Sequence, residues 1–184
     1  MMSSGLVQVY TGNGKGKTTC ALGAGLRAAG HGLKVLMITF MKAKLALRDD
    51  VEDINYGEFR SIEHIPNFTI IPVGRETFVD KENPDPIDVK MAQDGLDLAR
   101  DAIRDRTCDV LILDEINVAV EWNLFSLDEQ LDLINNKPEE MELIMTGRYA
   151  REELIDAADL VTEMREVKHY FVTNKIQARK GFEF

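Results

Sequence analysis

The sequence predicts an α/β protein whose doubly wound, mainly parallel sheet carries helices on both faces. Short apolar runs recur along the chain, and stretches with helical periodicity separate them. The first apolar run leads through a glycine-rich turn into a helix. Such alternation of strands and helices is typical of βαβ units, which build parallel sheets.

The first strand, turn and helix occupy the beginning of the chain. Residues 6–10 are apolar and β-prone, with no helical period. The turn contains Gly12, Gly14 and Gly16, which permit positive φ and leave backbone N–H groups open to an anion. Residues 17–27 favour a helix, whose N-terminus attracts phosphate. The sequence therefore predicts a phosphate cradle.

The turn follows the phosphate-loop pattern, a glycine, four residues and then Gly-Lys-Ser/Thr, with one departure. Gly16, Lys17 and Thr18 match the end of the pattern, but the first glycine, Gly12, comes one residue late. Lys17 would reach phosphate oxygens, Thr18 would offer its hydroxyl to Mg²⁺, and Lys15 adds a second cation. The alternative is a glycine-rich turn with exposed lysines, but the flanking strand and helix favour nucleotide binding.

The later elements follow from the same patterns. We predict strands at 34–40, 68–72, 109–115, 142–148 and 160–164, since these runs are apolar or β-prone. Apolar periodicity predicts helices at about 56–64, 87–103 and 150–158. Apart from the helix at 56–64, residues 41–66 mix polar and apolar residues without a clear period, which predicts a mobile polar loop. Residues 73–90 contain two prolines and alternating charges, and predict a long loop of the kind that often carries function.

Length and composition limit the function classes. The 184 residues fit a single domain spanning 1–184, and the 22 basic and 32 acidic residues give a net charge of −10. That charge disfavours nucleic acid and anionic membrane as partners. Cys20 and Cys108 have no partner at metal-ligand spacing, so we expect small core residues in a reducing cytoplasm. No apolar run approaches the ~20 residues that span a bilayer, so a cytoplasmic protein is predicted.

Candidate site residues lie at the carboxyl ends of the predicted strands. In such sheets, ligands collect at the carboxyl ends of the strands. Asp114 and Glu115 end one strand there, and either could hold Mg²⁺, although only one would face the site if the strand continues. Helix capping or a solvated strand end is the alternative. Arg148 ends another strand and could pair with phosphate or ribose, or form a surface ion pair.

The sequence lacks a recognisable protein nucleophile. His31 and His64 are predicted turn or surface residues, and no Ser-His-Asp or Cys-His arrangement occurs. The protein would therefore handle phosphate and metal, and a substrate would supply the nucleophile.

Five motifs resemble those of the ATP:corrinoid (cob(I)alamin) adenosyltransferases of the phosphate-loop type. They are TGNGKGKTTCALG, LILDEINVAV, LIMTGRYA, DLVTEMREVKH and ARKGFEF, and the likeness runs from residue 7 to 184. The resemblance implies a phosphate-loop NTPase (RecA-like) fold and a homodimer. It also implies that Co(I) of a reduced corrinoid attacks C5′ of ATP and releases tripolyphosphate. A reductant such as a flavoprotein would supply the electron.

The resemblance also implies roles for individual residues. Lys15, Lys17 and Thr18 would be catalytic, and Thr18 would hold Mg²⁺ with Glu115 or Asp114. The further nucleotide contacts would be Gly12, Asn13, Gly14, Gly16, Thr19, Arg27 and Arg148.

The corrinoid side matches the family less closely. Some relatives carry Phe-Thr-Trp where this chain has GRETFVD, so Phe78 in the loop 74–79 is the candidate for the corrin face, with core packing or loop anchoring as the alternative. None of the histidines lies in the Asp-x-His-x-x-Gly pattern of enzymes that ligate cobalt through histidine. Some relatives also carry an additional N-terminal segment over the site, so closure is expected from about residues 41–55, with a less complete closure as the alternative.

Two other functions remain open from the residues alone. An ordinary phosphate-loop ATPase or small-molecule kinase would form ADP. A non-catalytic regulatory module would bind ATP without any corrinoid dependence. The sequence also leaves open whether the corrinoid is complete cobalamin or a biosynthetic precursor.

Overall fold

The structure, a computed structural model, describes residues 4–43 and 56–183. The strands are β1 (Val7–Thr11), β2 (Val35–Phe40), β3 (Phe68–Val73), β4 (Val110–Asp114), β5 (Glu142–Thr146) and β6 (Leu160–Glu163). The helices are α1 (Lys17–Gly30), α2 (Gly57–Ile62), α3 (Pro86–Asp105), α4 (Ile116–Glu121), α5 (Leu127–Asn136), α6 (Glu152–Ala157) and α7 (Tyr170–Asn174). Most of the predicted closing segment, residues 44–55, lies outside the described residues.

The strands form a six-stranded sheet in the order β3-β2-β4-β5-β1-β6, and every neighbouring pair is parallel. The predicted doubly wound α/β fold is confirmed. Because all strands run the same way, all their carboxyl ends meet at one edge of the sheet. The loop after β1 therefore lies between the ends of β5 and β6.

Two apolar clusters sandwich the sheet. Along β4, Leu111 and Leu113 enter the cluster that α3, α4 and α5 cover, while Val110 and Ile112 enter the cluster beneath α1. All five residues of β4 are buried, which explains why the four before Asp114 are continuously apolar. The last strand in this order, β6, is an edge strand that pairs only with β1, and its four residues are exposed.

Several predicted boundaries change for local reasons. The predicted loop 73–90 is too long, because α3 begins at Pro86, where the Asp85 side chain accepts a hydrogen bond from the Ile87 N–H. Helices α4, α5 and α7 were absent from the predicted pattern. A capping box between Ser126 and Glu129 begins α5.

The prediction that both cysteines lie in the core is wrong for one of them. Cys108 is buried, but Cys20 is exposed on α1. The helix buries the face formed by Ala21, Gly25 and Ala29 instead. Within residues 4–43 and 56–183, no helix has both the length and the apolar character needed to cross a bilayer.

Candidate functional site

The glycine loop, residues 12–16, joins β1 to α1 and packs against the end of β6. Gly12 and Gly16 have φ of 95° and 116°, which favours glycine. A Cβ at Gly12 or Gly14 would lie 2.5 or 2.7 Å from the Met164 carbonyl oxygen. The Gly14 N–H donates to that oxygen at 2.6 Å. Glycines at 12 and 14 therefore allow the close approach to β6 as well as the cradle shape.

A cavity of about 270 Å³ opens beside this loop. We call it the loop cavity. It is lined by residues 13–19, Glu115, Arg148 and His169. The structure thus brings together most of the predicted nucleotide contacts.

Lys17 is held against the loop that it follows. Its Nζ donates to the carbonyl oxygens of Gly12 at 2.8 Å and Gly14 at 2.9 Å. Burial lowers the pKa of the Lys17 ammonium, an effect that nearby Glu115 opposes. An anion in the cavity would meet a partly desolvated cation.

Asp114 and Glu115 have different environments although they are neighbours. Asp114 is fully buried, and it accepts hydrogen bonds from the Thr146 hydroxyl at 2.6 Å and from Lys42 Nζ at 2.8 Å. Burial opposes the charged form of Lys42, but Asp114 together with Glu115 and Tyr56 raises the pKa of the ammonium. The carboxylate of Asp114 is therefore occupied by two protein partners.

Glu115 faces the loop cavity because the strand ends before it. Its φ of 62° is left-handed, so the residue turns out of the strand instead of continuing it. Its N–H donates to the Thr146 hydroxyl oxygen at 3.0 Å, which fixes the turn. Burial raises the pKa of the Glu115 carboxyl, and Asp114 adds to the effect. Among residues 4–43 and 56–183, no side chain forms a hydrogen bond or ion pair with this carboxylate.

A buried polar chain holds the turn that carries Arg148. The Gln130 amide donates to Asn117 Oδ1 at 2.9 Å, and Asn117 Nδ2 donates to the Gly147 carbonyl at 3.1 Å. Gly147 has φ of 132°, and a Cβ there would lie 3.0 Å from the Asn117 Cβ. Asn117 lies in the DEIN motif, so that motif supports both Glu115 and the turn before Arg148.

The C-terminal segment, residues 164–183, contributes site residues that the sequence patterns did not predict. His169 lines the loop cavity. Lys15 Nζ donates to the Phe182 carbonyl at 3.1 Å and pairs with Glu183 at 3.3 Å. The motifs VKH and ARKGFEF contain these residues, but neither motif indicates by itself that they meet the glycine loop.

Two predicted contacts lie elsewhere in the described structure. Arg27 is in the last turn of α1, ten residues after Lys17 and so about 15 Å along the helix, and it does not line the loop cavity. The ring of Phe78 is fully exposed, so it does not pack in the core. Its loop is anchored nearby, where Arg75 Nε donates to the buried Asp88 carboxylate at 2.7 Å.

The family model described as "ATP:corrinoid adenosyltransferase BtuR/CobO/CobP" matches residues 3–184. The chain belongs to this family. The adenosyltransferase is 35% identical to the corrinoid adenosyltransferase of Sinorhizobium sp, over 98% of this chain and 80% of the relative. It is 34% identical to the corrinoid adenosyltransferase of Pseudomonas aeruginosa, over 98% and 84% of the two chains. For the corrinoid adenosyltransferase of Escherichia coli (strain K12), the identity is 32%, over 98% and 86%.

These matches identify an enzyme that adenosylates corrinoids. In this family, the corrinoid is the group that receives the adenosyl moiety. Among the described residues, no three His, Cys, Asp or Glu side chains are close enough to hold a metal ion together.

Proposed function

We propose that the adenosyltransferase transfers the 5′-deoxyadenosyl group of ATP to the Co(I) of a reduced corrinoid and releases tripolyphosphate. The observation that carries this proposal is the composition of the loop cavity. Lys15, Lys17 and Arg148 meet there beside the glycine loop, so the lining suits a polyanion. The site is built to hold a leaving group.

The bond changes assign a task to these cations. The cobalt–carbon bond forms with the electron pair of Co(I), and the bond between C5′ and the α-phosphate oxygen breaks. The electrons of the broken bond go to the triphosphate oxygen. Lys15, Lys17 and Arg148 stabilise the negative charge that appears there, and the loop N–H groups orient the chain of phosphates.

Mg²⁺ fits the oxygen donors that line the cavity. Thr18 offers a hydroxyl and Glu115 a carboxylate without a protein partner in the described chain, and phosphate and water oxygens would complete the coordination. When bound, Mg²⁺ neutralises charge on the triphosphate. Asp114 acts through Lys42 and Thr146 instead, so we assign the metal contact to Glu115.

Surfaces away from the loop cavity would contact the corrin and a second chain. The exposed ring of Phe78 is suited to contact the apolar face of a corrin, and Arg27 stays a predicted nucleotide contact. We propose a cytoplasmic homodimer that receives electrons from a reductant such as a flavoprotein. The exposed edge strand β6 and the exposed Val167 support association with a further chain.

The deciding experiment is an anaerobic incubation with chemically reduced cobalamin, Mg²⁺ and ATP. We expect the Co(I) absorbance to disappear as light-sensitive adenosylcobalamin and tripolyphosphate form. ADP and phosphate without any change in the corrinoid would instead support an ATPase or kinase. ATP binding without turnover would support a regulatory module.

A further inference from the structure

His169 is placed at the loop cavity by the segment that follows β6. It caps α7 and lines the cavity together with residues 13–19, Glu115 and Arg148. The backbone around it is tied down, because its carbonyl accepts from the Thr173 N–H at 2.9 Å and from the Thr173 hydroxyl at 3.1 Å. Its ring also lies against Tyr170, with 4.7 Å between the ring centroids. The imidazole is therefore a fixed part of the cavity wall.

One hydrogen bond determines which ring nitrogen carries the proton. His169 Nδ1 accepts from the Phe171 N–H at 3.1 Å. A nitrogen that accepts a hydrogen bond carries no proton, so the neutral ring has its hydrogen on Nε2. The remaining polar function of the ring is then a donor. A donor can bind an anion, whereas it cannot take a proton from a substrate.

We infer that His169 is a further triphosphate-binding residue, whose Nε2–H donates to a phosphate oxygen of the leaving group. The inference rests on the proposed function, because it needs a triphosphate in the loop cavity. Lys15, Lys17 and Arg148 supply the charge there, and His169 adds a directional donor with a fixed orientation. This role also separates His169 from a general base for hydrolysis.

Two substitutions of His169 distinguish the capping role of Nδ1 from the donor role of Nε2. In His169→Asn, the amide oxygen can replace Nδ1 as the helix cap, since asparagine caps helices well, but no donor reaches the position of Nε2. In His169→Gln, the amide nitrogen can replace Nε2, whereas the cap is lost. A role in binding and a role in capping therefore predict opposite rankings of the two variants.

The test is calorimetric titration of the full chain with tripolyphosphate and Mg²⁺, together with thermal unfolding of each variant. We expect His169→Asn to keep its melting temperature and to lose about tenfold or more in affinity, because a charged acceptor loses its donor. We expect His169→Gln to bind within about threefold of wild type while its melting temperature falls.

The opposite ranking would overturn the inference and leave His169 as a helix cap. Equal losses of affinity and melting temperature in both variants would also assign it a structural role. Lys17→Ala keeps this test separate from the proposed function. If wild type binds, Lys17→Ala does not and His169→Asn binds normally, then only the inference about His169 fails. If wild type does not bind tripolyphosphate, the proposed function fails, and the inference fails with it.

A second readout concerns the proton itself. The chain has three histidines, so comparison with His169→Gln identifies the His169 signals in a nitrogen-15 spectrum. We expect an unprotonated Nδ1 and a protonated Nε2, whose resonance moves when tripolyphosphate is added. A proton on Nδ1 would contradict the proposed role.

Discussion

Among single residues, the neighbouring carboxylates of Asp114 and Glu115 differ in what surrounds them. Asp114 is enclosed by Thr146 and Lys42, whereas Glu115 leaves the strand in a left-handed conformation and faces the loop cavity. The sequence shows both at a strand end, but it does not show that Thr146 and Lys42 occupy the first of them. This difference supports the assignment of the metal contact to Glu115.

We expect Glu115→Gln to weaken Mg²⁺-dependent binding of ATP. Removal of a direct carboxylate ligand should cost at least about tenfold in apparent Mg²⁺ affinity. The measurement is a titration of ATP affinity against Mg²⁺ concentration. Glu121→Gln is the control, since Glu121 is paired with Arg151 away from the loop cavity. An unchanged Mg²⁺ response in Glu115→Gln would contradict the assignment.

The ion pair between partly buried Lys42 and buried Asp114 should contribute to the stability of the fold. Lys42→Met leaves a fully buried carboxylate without its cation, so the free energy of unfolding should fall by about 3 kcal/mol. The double variant Lys42→Met with Asp114→Asn removes the unpaired charge and should recover part of that loss. Urea unfolding measures both. A loss below about 0.5 kcal/mol in Lys42→Met would show that the pair contributes little.

The two cysteines should differ in reactivity. Cys20 is exposed, while burial raises the pKa of the Cys108 thiol to about 11. Because the thiolate is the reactive form, a thiol reagent at about pH 8 should modify Cys20 in the folded protein and Cys108 only after unfolding. Cys20→Ser provides the control, and it should show no fast phase. Rapid labelling of two thiols in the native wild-type protein would disagree with the buried position of Cys108.

Among the secondary-structure elements, the C-terminal segment contacts the glycine loop through an ion pair that a ligand could displace. Tyr170 and Arg179 both hydrogen-bond Glu183, which pairs with Lys15. The Glu183 carboxylate is thus paired with the Lys15 ammonium, which the triphosphate would also bind. Nucleotide binding would have to displace it.

We therefore expect Glu183→Gln to bind tripolyphosphate more tightly. Lys15 is 46% exposed, so solvent screens the ion pair and the gain should be no more than about fivefold. Titration calorimetry compares this variant with Glu166→Gln, which removes the same charge from an exposed position of the same segment. A weaker affinity in Glu183→Gln would mean that the contact helps to form the site.

The elements differ in how strongly local sequence signals specify them. The strand, glycine loop and helix at residues 6–27 were predictable because apolar runs, glycines and helix formers are local signals. The start of α3 was predicted within one residue, at 87 against Pro86, but the predicted loop was carried on to residue 90 because the Asp85 cap was not recognised. The position of His169 depends on β6 lying beside β1, and strand order is set by packing over long distances in the chain. No local pattern shows that order.

At the scale of the whole molecule, the sheet order explains how distant residues meet. The neighbours β4, β5, β1 and β6 end side by side, and they deliver Glu115, Arg148, the glycine loop and His169 to one cavity. Helix α1 starts at this edge and runs away from it, so Arg27 lies toward the other end. The parallel topology thus collects residues 13–19, 115, 148 and 169 around one cavity.

Because the cavity is formed only by the folded sheet, a ligand there should stabilise the whole molecule. Tripolyphosphate with Mg²⁺ at about 100 times its Kd should add about 2.7 kcal/mol to the free energy of unfolding. For a chain of this length, that corresponds to a rise of about 5–10 °C in Tm. Lys17→Ala should lose the rise, because Lys17 is the buried cation of the loop. Scanning calorimetry at matched ionic strength, with sulfate as the control anion, measures the difference. An equal rise in wild type and Lys17→Ala would place the bound anion outside the loop cavity.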